Sequence, residues 1–474
     1  MGLPNIMQTG RSGLMASKAA IATTGHNISN ANTEGYSRQR VDTQTTTPFP
    51  AAGDRRVIGT GVTIERVGRV NDEYLEKQIR TSNRVMTHME EKDLMLRQVE
   101  DIFNEMGGEG LNRLMSRYFN EFRKLSNDPD SEAVRQSVRE ASQAMVNDFH
   151  RVRHEVMEVS RHIDARIEGY VREVNALAGD VKDLNIKIRE AEIAGGSPND
   201  LLDRRDQTLK KLASYMDVTM HKDQSGNVNV DIVGVGPLVN GPGAEKFEVS
   251  RSPADGEGKA EASLDIKTSA SARGIVTHQL KGGKFGALLD VRDNVISTVL
   301  SRIDELAYNV AGATNAIHSQ GFTREGQQGV NFFGDLSQKE RAAEFIGLSE
   351  EVATDVNNIA AAAMADAPGD NRIALLIGGL QGQRILGGGN ATADDFYNSI
   401  VSDVGVATNR NREGMNQQKD IQTQLGKMRD QISGVSLDEE TANLMQFQHT
   451  YAAAAKIIQV ADEMLRTVLE LKRY

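Results

Sequence analysis

Residues 437–465 read LDEETANLMQFQHTYAAAAKIIQVADEML. Within this stretch a constant spacing of seven joins five side chains: Leu437, Leu444, Tyr451, Ile458 and Leu465. Such a repeat predicts a helix that buries one narrow seam against another helix. The same spacing opens the chain, at Met7, Leu14, Ile21 and Ile28. We therefore expect two terminal helices, over residues 5–30 and 437–471, that pair with each other or with neighbouring molecules.

Small residues accompany the repeat in the first helix. Gly10, Ser17 and Thr24 lie three positions after repeat residues and would let a partner helix approach closely. Glycines at 10, 13 and 25 weaken an isolated helix, which is marginal in water in any case. We call the nine repeat residues the assembly seam, and we expect both terminal helices to become fully ordered only on assembly.

The composition of the chain argues against several classes of function. The 474 residues include no cysteine, so there is no disulfide, no thiol nucleophile and no cysteine-bound zinc. A net charge of −11 argues against nucleic-acid binding. Because the sequence has no apolar run of about 18 residues, we expect no membrane insertion. The first twenty residues also lack the charged and apolar regions of an ordinary secretory signal.

The middle of the chain predicts long helices interrupted by one β-rich segment. Helical periodicity covers residues 72–105, 110–126 and 131–194. The last of these, about 60 residues at a rise of about 1.5 Å each, would form a rod of roughly 90 Å. Between residues 215 and 281, an alternating run at Val228–Val233 follows a turn and predicts a hairpin.

The predicted fold is mainly α with a small β-rich insert. It combines terminal coiled-coil helices, an elongated helical-bundle core and an outward-facing β domain. The predicted domains are residues 1–36 with 436–474 as the terminal coiled-coil inner domain, 37–214 with 282–435 as an extended linker and long-helix rod domain, and 215–281 as the outer insert.

Few groups of side chains could carry chemistry. His150, His154, Glu158 and His162 follow one another at intervals of four on one predicted helix, a spacing that can hold a divalent metal. Because they lie beside the apolar seam of that helix and lack a second carboxylate motif, a solvated helix face is the favoured interpretation and a metal site the alternative. No catalytic set stands out, so we expect no enzymatic activity and no cofactor.

Two stretches at the ends of the chain resemble one protein family. Residues 26–39, HNISNANTEGYSRQ, are similar to the N-terminal signature of bacterial flagellar axial proteins, the rod, hook and hook-associated subunits. Residues 451–465 resemble the matching C-terminal end. Glu34 stands where this family usually has proline, which would make the turn before Gly35 less rigid. The last three residues, 472–474, extend beyond the usual ending.

Three internal stretches narrow the resemblance to the hook-associated protein 1 family, which forms the first hook–filament junction. They are residues 200–207, residues 315–333 and residues 433–440. The residues that carry the family signature are Asn27, Asn30, Asn32, Gly35, Tyr36, His318, Gly321, Phe332, Phe333, Asp438 and Glu439.

The resemblance implies a structural subunit, with partners and a location. Its terminal helices would pair around a central channel, and its partners would be further copies of itself in a ring, the hook protein and a second hook-associated junction protein. A cytoplasmic export chaperone would hold the C-terminal helix. The protein would be extracellular, in the bacterial flagellum, after export by the flagellar type III system without a cleaved signal. Alternatives are another axial subunit, of the hook or distal rod, and a flagellum-associated cell-wall hydrolase.

Overall fold

A computed structural model describes residues 3–47, 49–50, 57–103, 110–252, 263–268, 274–367 and 369–471. The chain divides into two compact units. Unit 1 comprises Met1–Val85, Val174–Lys246 and Gln418–Tyr474, and unit 2 comprises Met86–Glu173 and Phe247–Gln417. Within the described residues, no helix combines the length and the apolar character needed to cross a membrane.

Helices make up most of the described chain. They are α1 (Leu3–Ser29), α2 (Glu73–Phe103), α3 (Leu111–Asn127), α4 (Glu132–Ile193), α5 (Asn199–Tyr215), α6 (Gly283–Asp290), α7 (Ser297–His318), α8 (Ala342–Phe345), α9 (Glu350–Thr354), α10 (Arg372–Gly379), α11 (Ala393–Ser433) and α12 (Leu437–Leu471). A π-helical segment, Val291–Ile296, joins α6 to α7.

The strands are short and every pair is antiparallel. They are β1 (Gln39–Thr45), β2 (Phe49–Pro50), β3 (Val57–Ile58), β4 (Val62–Arg69), β5 (Val218–Lys222), β6 (Val228–Ile232), β7 (Gly236–Asn240), β8 (Gly243–Ala244), β9 (Phe247–Ser252) and β10 (Ser263–Thr268). β5 to β8 form one four-stranded sheet in sequence order, and the pairs β1–β4, β2–β3 and β9–β10 form two-stranded ribbons.

The prediction of a mainly helical fold with a few short strands is confirmed. The hairpin predicted around the turn at residues 224–227 is formed by β5 and β6, with Lys222 opposite Val228. Strands from the predicted insert, residues 215–281, belong to two sheets: β5–β8 lies in unit 1 and β9–β10 in unit 2. The three predicted domain boundaries remain a prediction.

Unit 2 has a core of large aromatic side chains on α3. Tyr118, Phe119 and Phe122 have no exposed surface, and the rings of Tyr118 and Phe122 have centroids 5.2 Å apart in an edge-to-face arrangement. Phe332 packs on Phe122 at 5.3 Å and on Phe333 at 4.9 Å. Edge-to-face pairs of this kind add to the stabilisation that burial itself provides.

In unit 1, Asn185 on α4 holds the four-stranded sheet. Its amide nitrogen donates to the carbonyl oxygens of Val228 (3.0 Å) and Gly241 (3.2 Å). Its amide oxygen accepts from the backbone N–H of Val228 (3.1 Å) and from the guanidinium of Arg205 (3.1 Å). Since Asn185 is only 1% exposed, one buried amide satisfies backbone groups at the start of β6 and just after β7.

Candidate assembly site

A buried asparagine near the end of α1 organises the turn that follows. The Asn27 side-chain nitrogen donates to the Gln39 carbonyl oxygen at 2.9 Å, and the Asn27 side-chain oxygen accepts from the Gln39 N–H at 2.9 Å. The Tyr36 hydroxyl donates to the same Asn27 oxygen at 2.7 Å. Asn27 is 1% exposed, so these bonds fix the path of residues 27–39 in an environment without competing water.

The same asparagine ties the turn to the start of α12. The Asn27 amide donates to Glu440 Oε2 at 3.1 Å, and Arg38 Nε lies 2.7 Å from Glu440 Oε1. Arg38 also reaches the exposed Glu439 at 3.1 Å, and the Arg38 N–H donates to the Ser433 carbonyl oxygen at 3.0 Å. Glu440 is 2% exposed. Burying a carboxylate is unfavourable unless charged and polar partners such as these contact it.

Carboxylates on α5 complete the arrangement from the other side. Asp203 accepts from the Ser37 N–H at 3.0 Å and from Arg69 at 2.8 Å, and Asp200 accepts from the Gln39 side chain at 3.0 Å. Burial raises the pKa of Asp203, although Arg69 opposes the shift. Burial raises the pKa of the Tyr36 hydroxyl, as do the charges of Asp200, Asp203 and Glu440, so this hydroxyl stays protonated as a donor.

The structure therefore brings together three stretches that are far apart in sequence. Residues 26–39, residues 200–207 and residues 433–440 meet in one set of hydrogen bonds and ion pairs within unit 1. We call it the signature network; its members are Asn27, Tyr36, Arg38, Gln39, Asp200, Asp203 and Glu440.

The turn itself depends on Gly35. Its φ of 77° lies in the left-handed region, and a Cβ there would lie 1.9 Å from the Gln207 side-chain nitrogen, so any larger residue would be strained and displaced. The Gln207 side chain donates to the Glu34 carbonyl oxygen. A proline at position 34 would offer the same carbonyl, so the departure from the family pattern preserves this acceptor.

The remaining signature residues at the two ends of the chain make local contacts or are exposed. The Asn30 side chain donates to the His26 carbonyl oxygen at 3.0 Å and caps the last turn of α1. Asn32 is exposed. At the start of α12, Asp438 is exposed, and Glu439 contacts Arg38.

The two terminal helices pack along one another, with small residues at the centre of the contact. On α1 the buried positions include Gly10, Ser17 and Thr24, and on α12 they include Ala454 and Ala461. A Cβ at Gly10 would lie 2.8 Å from Ile458 Cγ1 and 3.4 Å from the Ala454 carbonyl oxygen. The backbones therefore approach as closely as the absence of a side chain allows.

The assembly seam flanks this line of small residues. Seven of its nine residues are half-buried: Met7, Leu14, Ile21, Ile28, Leu444, Ile458 and Leu465. Leu437 and Tyr451 are exposed, at 50% and 37%. Their role in contacts between molecules stays a prediction. Sequence reasoning missed three buried residues of α12: Glu440, Ala454 and Ala461. They lie on a second seven-residue repeat, which begins three positions after Leu437. Because these residues are small or charged, a pattern of large apolar residues does not include them.

A large apolar surface of α12 remains uncovered within unit 1. Its exposed residues are Met445, Ile457, Val460, Met464, Val468, Leu469 and Leu471. Beside Ile6 the surface forms a groove of about 370 Å³, lined on α12 by Ile457, Val460 and Met464 among others. Exposed apolar area of this extent on one helix is typical of a surface that binds another protein.

His318 and its companions form a separate, buried group in unit 2. The fully buried His318 ring accepts from the Ala360 N–H at Nε2 (2.8 Å), so Nδ1 carries the proton and donates to the Val330 carbonyl oxygen (2.8 Å). Burial lowers the pKa of His318 to about 4. A Cβ at Gly321 would lie 2.9 Å from Ala360 Cβ. With Phe332, these residues make a packed core.

The histidines on α4 do not converge on a metal. His150 lies 2.8 Å from the Ile346 carbonyl oxygen, and His162 lies 3.1 Å from the Gln98 side-chain oxygen. His154 is exposed, 4.0 Å from Glu158. Among the residues that the structure describes, no group of three or more potential ligands is arranged to hold a metal ion.

Known flagellar protein families match the chain in its middle and at both ends. A model of the flagellar hook-associated protein FlgK helical domain matches residues 96–333. A flagella basal body rod model matches residues 7–36, and a model of the FlgEFG C-terminal region matches residues 430–471. Flagellar hook-associated protein 1 of Bacillus subtilis is 30% identical over 98% of this chain and 97% of that protein. The chain belongs to the hook-associated protein 1 family.

Other members of the hook-associated protein 1 family support the assignment. The Salmonella typhimurium and Escherichia coli proteins are each 25% identical over 99% of this chain and all of theirs. The structure of the flagellar hook junction protein FlgK from Burkholderia pseudomallei superposes with a TM-score of 0.66, covering 75% of this chain and all of that one; at 14% identity it shows a shared fold. The predicted family is confirmed, and with it a structural protein of the flagellum.

Proposed function

We propose that the chain is the structural subunit that forms the junction between hook and filament. The signature network carries this proposal. It uses residues from three family stretches to fix the start of α12 against α1, and beyond that point it leaves the apolar surface of α12 uncovered. A helix pair that is fixed at one end and apolar along its length is suited to burial between neighbouring subunits.

The proposed partners follow from the same surface. Further copies of the chain would bury the half-buried seam in a ring, and the hook protein and a second hook-associated protein would lie on the two sides of that ring. Head-to-tail contacts of this kind are heterologous, so each subunit offers two different faces. Before assembly, an export chaperone would cover α12, and export by the flagellar type III system would place the protein outside the cell.

A deletion strain tests the function directly. Without this chain, hooks should persist without filaments, while filament subunits appear in the medium. Restoring the chain should restore filaments. Normal filaments in the deletion strain would contradict the proposed function.

Replacing Leu444 and Ile458 with Asp tests the seam. Burying two carboxylates in an apolar contact is strongly unfavourable, so the double variant should be absent from isolated junctions. Gln448→Asp with Gln459→Asp, at exposed positions of the same helix, is the matched control and should be incorporated. Thermal unfolding of the purified chain should retain the unit 2 transition in both variants. A normal junction containing the Leu444 and Ile458 variant would contradict burial of the seam.

We also propose that the chain has no catalytic activity. Its membership of a structural family supports this, as does the packing of His318 in a core. A peptidoglycan-release assay on the purified chain tests it, with a lytic enzyme as positive control. Release above the level of heat-treated protein would contradict the proposal.

A further inference from the structure

The turn between β7 and β8 contains the single Asn-Gly pair of the sequence, Asn240–Gly241. Asn240 is exposed, whereas Gly241 is buried. Asn240 pairs with Gly243 across the turn, so Gly241 and Pro242 form a two-residue hairpin loop. The φ of Gly241 is 56°, as expected of a turn with glycine at its first central position. The four-stranded sheet of unit 1 thus fixes the position of the pair.

An Asn-Gly pair can lose ammonia by a reaction within its own backbone. The amide nitrogen of the glycine gives up its proton and attacks the side-chain carbonyl carbon of the asparagine. The new bond closes a succinimide ring, while the bond to the side-chain nitrogen breaks and that nitrogen leaves with a proton as ammonia. Water then opens the ring to aspartate or isoaspartate. Glycine allows this attack most readily, because it has no Cβ to obstruct the approach.

Buried amide side chains hold both polar groups of Gly241. Its N–H donates to Asn229 Oδ1 at 2.7 Å, and its carbonyl oxygen accepts from the Asn185 side chain at 3.2 Å. Asn229 and Asn185 are 9% and 1% exposed. The side-chain nitrogen of Asn229 lies 3.3 Å from His221 Nε2, so both ends of this amide are in contact. Little water competes for the Gly241 N–H in such an environment.

The bond to Asn229 opposes the reaction at its first step. The Gly241 nitrogen must lose the proton that Asn229 Oδ1 binds, and it must move toward the side-chain carbon of Asn240. Since the Gly241 carbonyl is held as well, this movement requires the turn to open. The reaction rate then falls with the fraction of time that the turn is open. Folding therefore leaves Asn240 in water but makes the attacking nitrogen inaccessible.

We propose that Asn240 is a self-modification site that the fold keeps unreacted, and that Asn229 is the residue that prevents the reaction. The unfolded chain converts Asn240 to aspartate or isoaspartate, whereas the folded chain retains the amide. Either product adds a negative charge to the turn, and isoaspartate also lengthens the backbone between β7 and β8. The amount of product thus records the time that a chain spends unfolded. The proposal does not depend on the proposed function.

Mass spectrometry of the purified full chain tests the proposal. The chain is kept folded, or unfolded in denaturant, in mildly alkaline buffer, and every asparagine is followed for conversion to aspartate and isoaspartate. We expect Asn240 to react faster than any other asparagine of the unfolded chain. In the folded chain, Asn240 should react at least about tenfold more slowly than in the unfolded chain. Equal rates at Asn240 in the two states would overturn the proposal.

Two substitutions of Asn229 separate its hydrogen bond from the effect of folding in general. Asn229→Ala removes the acceptor of the Gly241 N–H and should raise the reaction rate at Asn240 in the folded chain about tenfold. Asn229→Asp is the matched control: it keeps an acceptor oxygen at the same position, so Asn240 should react near the wild-type rate. Melting curves establish that the variants are folded. Equal rates at Asn240 in the two folded variants would overturn the proposal.

Hydrogen exchange of the wild-type chain is a measurement that needs no variant. The Gly241 N–H should exchange much more slowly than an exposed amide, because Asn229 binds it in the folded chain. Exchange of this amide at the rate of an unstructured peptide would overturn the proposal, even if Asn229→Ala fails to fold.

Discussion

The aromatic core of unit 2 and the terminal helix pair of unit 1 hold helices together in opposite ways. Around α3, Tyr118, Phe119 and Phe122 are completely buried. Between α1 and α12, apart from the buried pair Asn27 and Glu440, the buried residues are glycine, serine, threonine and alanine. Large apolar side chains of α12 are half-buried at the margin of this contact, as Ile458 is, or lie outside it, with Met445 58% and Leu469 63% exposed.

This difference shows where each helix obtains its stability. Burying a large apolar side chain completely adds about 1.5–3 kcal/mol to the free energy of unfolding. A small residue allows close packing but buries little apolar area. The core of unit 2 therefore stabilises itself. We infer that the terminal pair depends on the signature network at one end and gains the rest of its stabilisation from neighbouring molecules.

Truncation of one large side chain in each region gives the largest expected contrast. Phe122→Ala removes a fully buried ring and should lower the free energy of unfolding of unit 2 by about 3–5 kcal/mol. Leu444→Ala, at a half-buried seam position, should lower the stability of the free chain by less than about 1 kcal/mol. Calorimetry of the two variants checks this. If Leu444→Ala lowers the free energy of unfolding as much as Phe122→Ala does, the terminal helix pair is stabilised in the same way as the core of unit 2, and the comparison is wrong.

Acid should weaken unit 2 through His318. Its pKa falls from 6.5 to about 4 on burial, so the unfolded chain binds the proton first. The stability that neutral His318 provides is complete above about pH 6.5 and is lost as the pH falls toward 4, by about 3 kcal/mol in all. His318→Gln should flatten this part of the pH profile of unit 2 unfolding. If His318→Gln loses stability in acid as the wild type does, the pH dependence belongs to another titratable group.

Breaking the signature network should have a smaller effect than acid has on unit 2, and a local one. Glu440→Gln removes the charge that Arg38 contacts at 2.7 Å and should make the first turns of α12 open more readily, by about 2 kcal/mol. Hydrogen exchange at residues 437–447 measures this opening. The control is Glu439→Gln, because the Glu439 side chain is 64% exposed. Amide hydrogens of this variant should exchange at the wild-type rate. Unchanged exchange in the Glu440 variant would show that the network does not hold the pair.

The sequence predicted the helices well because their periodicity is local. The terminal helices predicted over 5–30 and 437–471 are Leu3–Ser29 and Leu437–Leu471, and the long helix predicted over 131–194 is Glu132–Ile193. Such boundaries depend on turn residues and apolar spacing, which a sequence displays directly.

The sequence did not predict which residues contact one another in the candidate site. The family stretches pointed to residues 26–39, 200–207 and 433–440, yet nothing in their spacing indicated that Asn27 would bond Glu440, 413 positions away. The centre of the helix pair was only partly anticipated. The sequence predicts close approach at Gly10, Ser17 and Thr24. It does not predict the burial of Ala454 and Ala461, because neither belongs to the repeat of large apolar residues.

The line of small residues on α1 has a mechanical consequence. Interlocking large side chains resist displacement along a helix axis, because each must leave one recess before it enters the next. The buried residues along this contact are small on both helices, Gly10, Ser17 and Thr24 on α1 and Ala454 and Ala461 on α12. The bonds that set the register lie at one end of the pair, at Asn27 and Glu440. We expect the free ends of the two helices to slide past one another by small distances under load while remaining helical.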